Sequence, residues 1–160
     1  LHIHDVDFVQ YCFGRPRRVF AQGLTRFSGA IDHVVCQYEV AGGTVTSAEG
    51  TWIMTEGFGF DMEYTVAFEK ATVDFTLARG AEALRVVEEG KPARTVTPEG
   101  GDGYVGELGY MLECIAAGRR PARVTARDAL SAVEICEAEE QSIRTGQPVS
   151  LPAAGASEPR

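Results

Sequence analysis

The sequence predicts an α+β fold: an open, mostly antiparallel sheet of about six strands with helices packed on one face. Three observations carry the prediction. The chain opens in an apolar pattern of helical period, it closes in two more, and between them, over roughly 17–96, the period is two. Strands and helices are thus segregated along the chain, as α+β proteins arrange them, rather than alternating as in a parallel α/β sheet.

The first helix covers 4–13. Val6, Val9 and Phe13 recur at helical spacing with Phe8 and Cys12 beside them, and Gly14 and Pro16 supply the stop. Strands are expected near 17–24, 32–40, 44–54, 62–69, 72–78 and 84–88, with a short seventh near 93–97. In the second, Val34, Cys36, Tyr38 and Val40 face one way and His33, Gln37 and Glu39 the other. In the fourth, Met62, Tyr64, Val66 and Phe68 oppose Glu63, Thr65 and Glu69, and in the fifth Val73, Phe75 and Leu77 oppose Thr72, Asp74 and Thr76. One apolar and one polar face mark antiparallel strands with one side on a core. The breaks fall at turn residues: Ala41-Gly42-Gly43, Glu69-Lys70-Ala71 and Glu89-Gly90-Lys91-Pro92.

Strand 44–54 differs. Thr44, Thr46, Ala48, Gly50, Trp52 and Met54 share one face, Val45, Ser47, Glu49, Thr51 and Ile53 the other, and neither is a clean solvent face. That points to a second sheet packed against it, and so to a subunit interface. After Gly100-Gly101 the helical period returns over 103–117, with Tyr104, Leu108, Leu112 and Ile115 on one stripe and Gly118 and Pro121 as the stop. Thr125-x-x-Asp128 opens the last helix as a capping box, which runs through Leu130, Val133, Cys136 and Ile143 to Gly146. Residues 1–150 form the expected domain, and 151–160 a disordered tail.

At 160 residues the chain can bury a core without disulfides. Its 44% hydrophobic and 24% charged content is that of a globular protein, not of a collagen, a disordered tail or a coiled coil. No apolar run reaches the ~18 residues of a membrane span. A net charge of −8 argues against phosphate backbones and anionic membrane surfaces as partners. Cys12, Cys36, Cys114 and Cys136 lie in apolar stretches with no C-x-x-C spacing, which suits buried, reduced thiols of a cytoplasmic protein. The start lacks the basic region and cleavage site of a signal peptide. Residue 1 is Leu, and the amphipathic pattern begins at once, so the chain is expected to be cut from a longer protein on its N-terminal side.

There are three histidines, and His33, in a strand among apolar residues, is expected to be structural. The segment His2-Ile3-His4-Asp5-Val6-Asp7 admits three readings. H-x-H on a strand can ligate zinc, although no third ligand follows at ligand spacing. Alternatively, His4, Asp7 and Tyr11, spaced i, i+3, i+7, stack on one helical stripe. The helix N-terminus there favours a neutral imidazole able to accept a hydroxyl proton, and Asp7 can orient the ring. The third reading is a helix start with solvated side chains. Glu137, Glu139 and Glu140 are expected on the surface, and Arg15, Arg17 and Arg18 in a turn. Gly57-Phe58-Gly59-Phe60 reads as a plain turn or a flap beside a ligand. No G-x-G-x-x-G, P-loop or Ser/His/Asp arrangement is present.

Residues 1–16, LHIHDVDFVQYCFGRP, resemble the segment D-L-G-x-H-D-x-D-L-x-x-W-L-x-G-x-P that opens the C-terminal domain of the glucose–fructose oxidoreductase/inositol dehydrogenase/rhizopine-catabolism (Gfo/Idh/MocA) family. Glu49-Gly50-Thr51-Trp52 resembles the family's small-Gly-x-Trp strand. Tyr104 to Glu107, Ala116 to Pro121, Thr125 to Asp128 and Ser142 to Gly146 resemble its closing helices. The resemblance implies a two-domain dehydrogenase whose N-terminal Rossmann domain binds NAD or NADP. The C-terminal domain would supply the sugar or polyol pocket and form a homo-oligomer through its open sheet face. It places His4 at the catalytic histidine and Asp7 at a position that contacts substrate or the histidine. It implies no metal ligand and no cofactor-binding residue in this chain, and no activity for the chain alone. The family's Asp four residues before the histidine would precede Leu1, and His2 stands where the family often has Gly. A non-catalytic ligand-binding or dimerisation module of the same fold is the alternative.

Overall fold

In the computed structural model of the chain, residues 2–98 and 103–152 are described. In chain order the elements are α1 (His2–Phe13), β1 (Arg18–Leu24), β2 (His33–Glu39), β3 (Val45–Thr51), β4 (Glu63–Ala67), β5 (Ala71–Thr76), β6 (Leu84–Glu88), β7 (Arg94–Thr95), α2 (Gly103–Ala116), α3 (Ala126–Thr145) and β8 (Val149–Ser150). The fold is α+β, but the strands form two antiparallel sheets of four rather than one sheet of about six. They belong to two compact units, Leu1–Thr55 with Ala122–Arg160, and Glu56–Pro121.

In the first unit the sheet order is β3-β2-β1-β8. The register aligns Ala21 with Cys36 and Cys36 with Ala48, which puts Val19, Ala21, Val34, Cys36, Tyr38 and Thr46 on one face. Val6 and Val9 of α1 and Ala132, Ile135 and Ala138 of α3 close the core. The small-residue face of β3 is therefore a core face, and Val45, 98% exposed, stands on the open one. The buried stripe of α3 runs Ala132, Ile135, Ala138, Glu139, Ser142, whereas Leu130 and Val133 are exposed. Two alanines in that stripe let the helix lie close to the strands. Its start is the expected capping box: Thr125 Oγ1 accepts the Asp128 N–H and Asp128 accepts the Thr125 N–H. Gly146, at φ 67°, ends it.

β3 stops at Thr51 rather than 54 because its partner β2 begins at His33. Asp32, just before, turns its carboxylate inward to accept the N–H groups of Arg26, Phe27 and Ser28. Those hydrogen bonds hold its pKa well below the usual carboxylate range. β8, only two residues long, carries no alternation to read; it pairs with Arg18 and Val19. Where it ends, Ser142 takes over: its Oγ accepts the Ala21 N–H at 3.0 Å and donates to Gln147 O at 2.7 Å. Leu151 donates its N–H to Arg17 O and packs on the core, so order extends beyond residue 150. Of the expected tail, 153–160 lie outside the described residues, as do Gly100-Gly101.

In the second unit β4-β5-β6-β7 is a meander. Tyr64 stacks on Phe75 at 5.3 Å, and Asp74 pairs with Arg79 at 2.8 Å and Arg85 at 2.9 Å. No residue of these strands is fully buried. On α2 the buried residue is Cys114, while the stripe Tyr104, Leu108, Leu112 and Ile115 is exposed. Gly57 and Gly59 take positive φ in a bend, the turn reading of that segment, with Phe58 and Phe60 exposed. The four cysteines are free, but Cys12 is exposed, because the core face of α1 belongs to Val6 and Val9. Among the described residues no helix is long and apolar enough to cross a membrane.

Candidate functional site

Helix α1 sets the site. With Val6 and Val9 on the core, the 100° step of a helix turns His4, Phe8 and Tyr11 away from it, and all three are exposed. His2, one turn before Val6, comes round to the sheet side. The two histidines therefore point to opposite sides of the helix. An H-x-H pair converges on one ion only on a strand, and the zinc reading fails for that reason. Among the described residues no cluster of three or more His, Cys, Asp or Glu side chains is arranged to hold a metal.

The stripe His4, Asp7, Tyr11 exists as the spacing dictates. His4 stands in the first helical turn. Asp7 is half-buried and its Oδ1 accepts from Gln10 Nε2 at 2.8 Å; the same amide donates to Asp128 O at 2.8 Å, joining α1 to the start of α3. Asp7, Gln10, Tyr11, Arg15, Arg127 and Ser131 are among the residues lining a cleft of about 280 Å³ between the two helices. Arg15 closes one end as an anchor rather than a simple turn residue: it pairs with Glu134 at 2.8 Å and donates to Ser131 Oγ at 2.6 Å. Arg17 and Arg18 pair with Glu39. His33 is half-buried in β2, 4.0 Å from Glu49. Phe27, Ile31 and Trp52 flank Asp32 in a second, more open cleft of about 410 Å³.

Beneath α1 lies a polar cluster that the sequence reading missed. His2 Nδ1 lies 3.3 Å from Asp5 Oδ2, and Nε2 lies 3.2 Å from Glu139 Oε2 and 3.5 Å from Tyr38 Oη. Tyr38 Oη donates to Glu139 Oε1 at 2.7 Å. Glu139 is 3% exposed, not a surface residue as expected. It follows Ile135 by four and precedes Ser142 by three, a periodicity masked by its neighbours Glu137 and Glu140. Burial alone would lower the His2 pKa, but the hydrogen bonds and charges of Asp5 and Glu139 outweigh it and push it up to about 9. Burial and the Glu139 charge push the Tyr38 phenol far up. His2 is thus an imidazolium at neutral pH and Tyr38 a neutral donor. Gly50 makes room for the ring: a Cβ there would lie 2.8 Å from His2 Nδ1.

Every strand pairing in the structure is antiparallel. A dinucleotide cradle needs a parallel βαβ unit with a glycine-rich turn, so the described residues do not fit a nicotinamide cofactor on their own.

Residues 1–74 match the family described as the GFO/IDH/MocA C-terminal domain. No curated protein matches the chain. Among solved structures, levoglucosan dehydrogenase in complex with NADH and levoglucosan is similar at a TM-score of 0.79 and 21% identity, over 96% of this chain and 49% of that one. An aldose-aldose oxidoreductase from Caulobacter crescentus complexed with glycerol gives 0.76 and 23%, over 93% and 45%. UDP-N-acetylglucosamine 3-dehydrogenase from Acidithiobacillus ferrooxidans gives 0.76 and 16%, over 91% and 46%. The chain spans about half the length of each. Residues 1–74 are thus similar in sequence to the GFO/IDH/MocA C-terminal domain, and nearly the whole chain shares the fold of about half of each of the three solved structures.

Proposed function

We propose that the chain is the substrate-binding and dimerisation half of an NAD- or NADP-dependent oxidoreductase acting on a sugar or polyol. His4 is the base for the hydroxyl being oxidised, and Asp7 contacts the substrate. The observation that carries this reading is the division of labour between the two histidines of α1. A general base needs a neutral nitrogen with a lone pair open to substrate. His2 is charged and held between the carboxylates of Asp5 and Glu139, whereas His4 is exposed on the other side of the helix. The half-buried Asp7, one turn on, lines the adjoining cleft and can accept from a substrate hydroxyl. A nicotinamide, held by a segment outside this chain, supplies the hydride acceptor. That the three similar structures are of enzymes named for sugars and sugar derivatives supports the substrate class. The open face of the first sheet, where Leu24, Val35 and Val45 are exposed, is the homodimer surface.

The test is a panel of sugars and polyols offered with NAD and with NADP to the full-length protein, following the absorbance of the reduced nicotinamide. Turnover by the full-length protein, and none by these 160 residues alone, is expected. Failure of the full-length protein with the whole panel would contradict the reading in favour of a non-catalytic module, and turnover by the isolated chain would contradict the division of the site. A concentration-independent monomer in light scattering would remove the dimer.

A further inference from the structure

We propose that the cleft between α1 and α3 holds a second sugar ring, so that the substrate is a disaccharide or another glycoside rather than a lone monosaccharide. This deepens the reading of His4 as the base and Asp7 as a substrate contact, and rests on it.

Asp7 stands between the base and the cleft. His4, Asp7 and Tyr11 share one stripe of α1, and from His4 to Tyr11 that stripe spans about 10 Å of helix. Helical side chains lean toward the helix N-terminus, which tilts Asp7 and Tyr11 back toward His4. The cleft starts at Asp7 and follows α1 to Gly14, with Arg127, Asp128 and Ser131 of α3 as its other wall. A substrate with one ring at His4 meets the cleft with the next. At about 280 Å³ the cleft lies at the lower end of small-molecule pockets, which suits a single small ring.

Most polar groups of the cleft are engaged. Arg15 pairs with Glu134 at 2.8 Å and donates to Ser131 Oγ at 2.6 Å. Asp128 accepts the N–H and the hydroxyl of Thr125, both at 2.7 Å. The Gln10 amide donates to Asp7 Oδ1 and to the Asp128 carbonyl. Among the described residues, Asp7 Oδ2, the Tyr11 hydroxyl and the Arg127 guanidinium have no protein partner. A carboxylate only accepts and a guanidinium only donates, so a ligand that serves both needs groups that donate and accept, as hydroxyls do. A phosphate or carboxylate would satisfy Arg127 but face the charge of Asp7. Tyr11, 73% exposed, adds an apolar ring face for the C–H side of a sugar and a polar tip for its hydroxyls. Packing does not account for these open groups, because Val6, Val9, Ala132 and Ile135 already close the core beneath the two helices.

The test is calorimetric titration of the full-length protein with maltose, cellobiose and lactose, and with their components glucose and galactose. NADH and then NADPH are present, neither of which can accept a hydride. At least one disaccharide is expected to bind tenfold or more tightly than its component monosaccharides. Arg127→Ala and Tyr11→Ala are each expected to cut that ratio to below about threefold, a loss of the size of one hydrogen bond to a charged group. Both side chains are exposed, so neither substitution opens the core. Arg144→Ala, which removes another exposed arginine of α3, paired with Glu140, is expected to keep the ratio. The proposal is overturned if no disaccharide binds more tightly than its components. It is also overturned if the ratio survives both cleft variants or falls equally in Arg144→Ala. Glucose 6-phosphate binding more tightly than every disaccharide, and losing that advantage in Arg127→Ala, would replace the sugar ring with an anion. Turnover separates the two claims. If a disaccharide binds through Arg127 but no sugar is oxidised, the dehydrogenase reading fails and the cleft stands as a sugar site. If monosaccharides are oxidised with no disaccharide preference, only the cleft fails.

Discussion

Sheet β3-β2-β1-β8 and sheet β4-β5-β6-β7 are both four-stranded and antiparallel, yet their side chains end in different environments. In the first, Val19, Ala21, Val34, Cys36 and Tyr38 are buried beneath α1 and α3. In the second, Tyr64, Val66, Val73 and Phe75 occupy equivalent alternating positions and stay partly exposed. Alternation decides which face of a strand is apolar; an element laid across that face decides whether it is buried. The same contrast governs charge. His2 is partly buried beside the buried Glu139, and its hydrogen bonds to Asp5 and Glu139 raise its pKa to about 9. Asp74 pairs with two arginines at the surface, and hydrogen bonds from Arg85 and Arg79 lower its pKa.

The contrast can be broken, or sharpened, by substitution. The largest effect is expected at Ile135, which is 0% exposed at the centre of the α3 contact: Ile135→Ala should cost about 2–5 kcal/mol by denaturant titration. A cost under about 1 kcal/mol would mean that the first core is no better closed than the second sheet. Next comes Ser142→Ala, which strands the Ala21 N–H where β8 stops pairing; about 1–3 kcal/mol is expected. A neutral result would show that another group reaches that N–H.

The pH dependence is third. His2 has its folded pKa raised from 6.5 to about 9, so its stabilising contribution is complete below pH 6.5 and is lost as the pH rises through 9. Stability should fall by roughly 2 kcal/mol across that window. Burial pushes Cys36 above the window and Cys136 up to about 12, so these thiols do not share it. His2→Gln should flatten the slope, and an unchanged slope in that variant would assign it to another group. The smallest effect is expected in the second sheet, where Val66→Ala should cost less than about 1 kcal/mol because the side chain is only partly buried. A larger loss would reveal packing on that face.

The local features of this molecule were legible in its sequence, and the long-range ones were not. Alternation located the strands to within a few residues, Thr125 and Asp128 announced the start of α3, and the spacing of His4, Asp7 and Tyr11 placed them on one stripe. The division into two sheets was not legible, because alternation says which face is apolar and not which strands pair. β3 looked like an interface strand because its core face is built of Thr46, Ala48 and Gly50, small to admit α1 and the His2 ring. Glu139 read as part of an acidic surface run, and only the identity of Ile135 and Ser142 as its neighbours on the helix face marks it as buried. Tyr38, Gly50 and Glu139 meet His2 across the fold, and no local pattern encodes that meeting.

The central claim is that of the two histidines on α1 it is His4 that takes the substrate proton. The most direct test is kcat for His4→Ala in the full-length protein, with amide protection of the first core confirming that the fold is kept. A fall of about 10²-fold or more, the size expected for loss of a general base, is predicted. An unchanged kcat in a folded variant would contradict the account.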